Sequence, residues 1–202
     1  MQWPAGGGAI RLILLVTALC GLVHGPLAAA DAAKPSDTPP AAPTVTFQQQ
    51  MDPSKLPRPV SEMVDAILAA VHSGRIEDLK TALEWNEMPP VFSAEKVDDA
   101  IAHLKAASTD KQGRQLLAIL GNLLSVGPAR QRLGRDAENN EVLVWPYLAE
   151  LALDQLTPSQ EVDLYRLVPA ETIAAMHAAK RWTWYRIVIG ADGTWHSFMR
   201  HE

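Results

Sequence analysis

The chain has 202 residues, 20% charged and 48% hydrophobic, with 15 prolines and one cysteine. That length suits one globular domain with appendages, and two full-sized domains would be a squeeze. Lys and Arg number 18 against 23 Asp and Glu, a net charge of -5, the wrong sign for a general phosphate-facing field. Nucleic acid is therefore not an expected partner, and one cysteine excludes an internal disulfide scaffold.

The amino terminus reads as a targeting segment. Residues 1–11 carry one basic side chain, Arg11, and ILLVTALCGLV (13–23) follows as a compact apolar run. Ala28-Ala29-Ala30 then supplies the small residues that a signal peptidase reads, with Asp31 just beyond. This order of basic, apolar and A-x-A segments is the secretory pattern, so residues 1–30 are expected to be a signal peptide. Cleavage after Ala30 fits best, with Ala32 the near rival. The apolar run is too short for a spanning helix, which weighs against an uncleaved anchor. A lipid on Cys20 is disfavoured because Leu19 occupies the position where a small residue belongs. Cys20 leaves with the signal, and with it go cysteine nucleophiles, CxxC redox chemistry and zinc–cysteine sites. No second apolar stretch is long enough to cross a bilayer, so no stable membrane span is expected after cleavage. The expected location is periplasmic or secreted.

Residues 31–59 carry prolines at 35, 39, 40, 43, 53, 57 and 59. Each removes a backbone donor and disfavours helix at the residue before it. The composition predicts a Pro/Ala-rich disordered linker ahead of a single domain over 60–202.

Within that domain, Ser61 caps a helix whose apolar side is Val64, Ile67, Leu68 and Val71, with Gly74 as its stop. Ile76, Leu79 and Leu83 mark a second helix, broken before Pro89-Pro90. Val97, Ile101 and Leu104 mark a third, with Ser93 as its cap. RQLLAILGNLLSV (114–126) is apolar around most of its circumference and reads as the central core helix, ended by Gly127-Pro128. Gly121 in its middle either allows close helix packing or simply costs some stability. Residues 128–141 show no apolar period and read as a surface loop carrying the basic cluster Arg130, Arg132 and Arg135.

The last third changes character. EVLVWPYL (141–148) begins as a short strand. Thr157-Pro158-Ser159-Gln160 is a complete helix start, with cap, first-turn proline and a Gln three residues after the cap. Val162, Tyr165 and Val168 are expected to line that helix. A further helix begins at Pro169 with Ile173 and Met176 inward. WTWYRIVI (182–189) is rich in aromatic and β-branched residues, Gly190 to Gly193 makes a turn, and TWHSFM (194–199) returns. With residues 141–145 as third member, the expected fold is α+β: an N-terminal four-helix region packed with a small three-stranded antiparallel sheet and a helical crossover.

The hairpin, together with WPYLAELALDQLTP (145–158) and LKTALEWNEMPPVF (79–92), resembles a family of small exported alphaproteobacterial proteins of uncharacterised function. The likeness spans roughly residues 62–200. It implies export and a single domain, and it assigns no activity and no site residue.

Catalytic signatures are sparse. His72, His103, His177, His196 and His201 form no compact ligand spacing such as HExxH, so neither a metal nor a cofactor is expected. There is no GxSxG elbow, and in a strand His196 and Ser197 point to opposite faces, which separates the tempting set Asp192, His196 and Ser197. An SxxK pattern at Ser93–Lys96 lacks the SDN and KTG partners of its enzymes. Glu84 and Glu87, flanking Trp85-Asn86, are the candidate carboxylate pair for glycan or murein cleavage. The aromatic set is more suggestive. Alternation along 182–189 puts Trp182 and Trp184 with Arg186 on one face, and Tyr185 with Ile187 and Ile189 on the other. The isoleucine face should meet the helices. The Trp182/Trp184/Arg186 face, joined by Trp195 or His196, is the candidate binding surface for an envelope protein, a peptide or a glycan. The same tryptophans would build core if both faces were covered. The sequence thus favours an exported non-catalytic binding protein. A small envelope hydrolase acting through Glu84 and Glu87 is the enzymatic alternative, and a structural envelope protein without a small ligand is the third.

Overall fold

A computed structural model describes residues 51–132 and 141–201. The expected signal peptide, its cleavage site and the linker as far as residue 50 lie outside the described residues. Among the described residues are six α-helices and four strands.

Order begins earlier in the chain than composition suggests. The Met51 N–H donates to the Pro128 carbonyl at 3.2 Å, Met51 and Leu56 pack on the core, and Pro53–Lys55 forms a 3₁₀ turn. The first helix, α1 (Arg58–Ser73), starts before Ser61, with Pro57 at its cap and Pro59 in its first turn. Proline suits that position, because the N–H it lacks has no intrahelical partner there. Val64 and Ile67 are buried as the apolar period requires, and Gly74 ends the helix in the left-handed conformation at φ 68°.

Ile76–Leu79 forms a 3₁₀ turn that runs into α2 (Lys80–Glu84). Helix α3 (Ala100–Ala107) is capped by Asp99, whose carboxylate accepts the Ala102 N–H at 2.9 Å. Ser93 therefore caps no helix; its hydroxyl accepts from the Glu95 N–H within a local turn. Asp99 sits immediately before the helix and reaches the third helical N–H, which Ser93 is too distant in sequence to do.

Helix α4 (Arg114–Leu124) is the centre of the fold. Leu116, Leu117, Leu120, Leu123 and Leu124 are all buried, each contributing about 1.5–3 kcal/mol of transfer free energy. The helix packs on α1, α5 (Pro158–Leu167) and the sheet. Gly121 faces α1: a Cβ placed there would come within 2.9 Å of Val71 Cγ1. Replacing a helical glycine with alanine gains about 1 kcal/mol in propensity, whereas overpacking costs about 1–3 kcal/mol. Gly121→Ala should therefore lower the melting temperature by a few degrees. Adding Val71→Ala should restore more than an independent Val71→Ala change would predict, as a thermal double-mutant cycle would reveal.

The sheet is antiparallel, in the order β1 (Ala129–Arg132), β2 (Glu141–Trp145), β3 (Tyr185–Gly190), β4 (Trp195–Arg200). It has four strands where three were expected. Ala129 to Arg132 belong to a strand and not to a loop, and residues 133–140, including Arg135, lie outside the described residues. The sequence ARQR has no large apolar side chain to announce a strand, which is how a charged edge strand reads. Its backbone pairs Ala129 with Val144 and Arg132 with Glu141, and Arg130 Nε lies 3.0 Å from Glu141 Oε1.

Between β2 and β3 the chain crosses through two 3₁₀ turns, α5 and α6 (Ala170–Ala179). The capping box of Thr157 and Gln160 is present in full. Val162 and Tyr165, however, are exposed, and Leu164 and Leu167 turn inward in their place, followed by Val168. In α6, Ile173 and Met176 are buried as expected.

Candidate functional site

Each tryptophan of the expected binding face belongs to the core. Trp182 is 7% exposed, Trp184 9% and Trp195 0%. The reason lies in strand boundaries and register. Strand β3 starts at Tyr185, so Trp182 and Trp184 precede it and strand alternation does not govern them. The Trp182 Nε1–H donates to the Tyr185 carbonyl at 3.2 Å, which folds the indole back onto the strand entrance. Trp195 pairs with Ile189, so it shares the isoleucine face and not that of Arg186. Its ring meets Phe92 edge-on at 5.5 Å.

Arg186 is half-buried and lies 3.6 Å from Glu150, whose carboxyl is pushed up by burial and held down in part by that guanidinium. His196 is exposed, and its carbonyl accepts the Val91 N–H. The five residues are thus not brought together as one open surface. Ile187 and Ile189 do meet the core, as the alternation predicts.

What the sheet presents instead is a groove at the open end of the β3–β4 hairpin. Its volume is about 400 Å³. The register pairs Tyr185 with Arg200 and Ile187 with Phe198; Ile187 and Phe198 are buried in the core, and Arg200 stands exposed at the strand's end. Tyr185 stacks on Phe198 at 5.2 Å with the rings 29° apart. Across from them stand Phe92, Ser93 and Ala94; helix α3 supplies His103, Leu104 and Ala107, and α4 supplies Leu116. Met199, Arg200 and His201 complete the lining.

The Arg200 side chain is exposed at the edge of this lining and is held there by two contacts. Arg200 Nε donates to the Thr183 carbonyl at 3.3 Å, and its guanidinium carbon sits 5.2 Å from the centre of the Trp184 ring. The buried indole is therefore a platform for the cation. Burial raises the Tyr185 hydroxyl above its ordinary value, with Arg200 pulling the other way, so the phenol stays neutral. Burial, with Arg186 adding, holds His201 below the ordinary imidazole value. No Asp or Glu is among the lining residues.

The wall opposite the sheet is strapped in place. Val91 forms a single parallel bridge to Ser197: its N–H donates to the His196 carbonyl at 2.8 Å, and its carbonyl accepts the Phe198 N–H at 3.0 Å. Asn86 Oδ1 accepts the Trp195 N–H at 2.8 Å, and Asn86 Nδ2 donates to the Ala82 carbonyl. These bonds cover the outer edge of β4 and aim Phe92 inward.

Glu84 and Glu87 are both exposed and neither lines the groove. Among the described residues no group of three or more His, Cys, Asp and Glu could hold a metal ion, and no helix is long and apolar enough to cross a membrane. Comparison with protein-family models, with curated proteins and with solved structures finds no match.

Proposed function

We propose that the chain is an exported, non-catalytic binding protein whose ligand joins an apolar body to an anionic group. One observation carries the reading: the groove combines a stacked Tyr185–Phe198 floor with the Arg200 cation and has no lining carboxylate. Concave, mostly apolar sites with a few fixed polar groups are the usual form of small-ligand pockets. The basic, apolar and A-x-A order of residues 1–30 supports export. Binding stays with the aromatic hairpin, as the sequence suggests, and moves from the tryptophans to the side chains at the hairpin's open end.

The test uses two probes of that chemistry, anilinonaphthalene sulfonate and dodecanoate, against the protein lacking its first 30 residues. Saturable one-to-one binding, weakened by Arg200→Glu and absent for a dodecyl trimethylammonium cation, is the expected result. Equal binding of the cationic and anionic chains, or none by either, would count against it.

A further inference from the structure

A second set of residues, none of which lines the groove, has the opposite charge. Between α2 and the Val91 bridge, Trp85 is 56% exposed, Met88 78% and Val91 49%. Three large apolar side chains within seven residues are held out to solvent by a segment that is firmly anchored. The Asn86 side chain ties it to both α2 and β4, both backbone groups of Val91 bond to β4, and Phe92 is buried in the core. The exposure is therefore built into a fixed backbone. Tryptophan and methionine are also among the residues enriched at protein interfaces.

Charge decides the occupant. Glu84 and Glu87 are exposed and immediately precede Trp85 and Met88 in the chain, and no Lys or Arg occurs between Lys80 and Lys96. A second copy docked symmetrically on this patch would set Glu84 and Glu87 against their own counterparts, and an anionic membrane surface would meet the same repulsion. We infer that the Trp85–Met88–Val91 surface docks a basic, amphipathic protein segment, its apolar side chains on Trp85 and Met88 and its Lys or Arg side chains on Glu84 and Glu87.

The probes are three peptides of one length, alternating leucine with lysine, with glutamate or with serine, titrated calorimetrically. The parent protein is compared with Glu84→Lys/Glu87→Lys and with Trp85→Ser/Met88→Ser. These positions are exposed, so both variants should keep the parent melting temperature and the groove's response to anilinonaphthalene sulfonate. That second readout separates failure here from failure of the groove reading. The lysine peptide should bind the parent, with affinity reduced at least about tenfold by either double change. The glutamate peptide should bind only the charge-reversed variant. Three results would overturn the inference: no binding of the lysine peptide, equal binding by all three proteins, or equal binding of the lysine and glutamate peptides by the parent. Self-association in sedimentation, or binding to neutral lipid vesicles, abolished by the Trp85/Met88 change would assign the surface to another occupant and overturn it as well.

Discussion

Replacing Trp195 with alanine should cost about 3–5 kcal/mol, the range for truncating a buried aromatic. In a domain of this size that corresponds to a fall of about 6–20 °C in melting temperature. Typical total stability is about 5–15 kcal/mol, so the loss is a large fraction of the whole. Several interactions fail together. Trp195 is fully buried, its indole N–H donates to the Ser197 carbonyl at 3.1 Å, and its ring receives Phe92. Losing the ring would therefore loosen the strap that forms the groove's far wall as well as leaving a cavity. Trp85→Ala supplies the contrast. That side chain is mostly exposed, and its removal should change stability by less than about 0.5 kcal/mol. Thermal melts of the two variants side by side distinguish a core tryptophan from a surface one. Equal losses would contradict the packing described above.

The second large effect concerns the groove. An ion-paired hydrogen bond contributes about 1.5–3 kcal/mol, so Arg200→Glu should weaken the anionic probes by about ten- to a hundredfold. Arg200→Lys should recover part of the affinity, because a lysine keeps the charge but loses the planar fit over Trp184. The pH dependence has a definite sign. His201 is held below the ordinary imidazole value, so it is neutral at neutral pH. A bound anion favours the imidazolium, and affinity for the sulfonate, which stays ionised, should rise as pH falls through the His201 pKa. His201→Gln should flatten that rise without changing the affinity at pH 8. Titrations across a pH series check both statements, with circular dichroism showing that the fold persists at each point.

The sequence made some of this architecture legible and hid the rest for identifiable reasons. Helix α4 was readable because its leucines recur on a helical period, and α5 because Thr157, Pro158 and Gln160 leave little choice about where a helix starts. The β3–β4 hairpin was equally plain from its turn and its β-branched run. Strand β1 was hidden because an edge strand made of Ala, Arg, Gln and Arg looks like a solvated loop, and only its backbone pairing to β2 makes it a strand. The tryptophan face is core because Trp182 and Trp184 precede β3, whose first residue is Tyr185; the register of the returning strand was hidden by a separate irregularity. Val188 pairs with Ser197 and Ile189 with Trp195, so His196 is skipped in the register. A straight count from the turn puts Ser197 and Met199 on the core-facing side. The irregularity puts Phe198 there instead, with Arg200 exposed beyond it at the strand's end, since a one-residue slip exchanges the faces of a strand.

The groove was harder still to foresee. Its walls come from residues 92–94, from α3, from Leu116 and from the hairpin's open end, four separated pieces with no spacing in common. The one signal within reach was Arg200, a cation two residues beyond Phe198 in a strand otherwise rich in apolar side chains. Glu84 and Glu87 drew attention as a pair of acids beside an aromatic residue. Their exposure makes them flanks of an apolar surface and leaves them outside the groove.

The groove beside Tyr185, Phe198 and Arg200 is the proposed ligand site. A titration of isotopically labelled protein with dodecanoate, followed by amide chemical shifts, tests it most directly. Saturable shifts concentrated at Phe92 to Ala94, in α3, at Tyr185 and over Phe198 to His201, all lost in Arg200→Glu, are expected. Shifts centred on the exposed Val162 and Tyr165 of α5, or no shifts at all, would contradict the proposal and return weight to a structural role in the envelope.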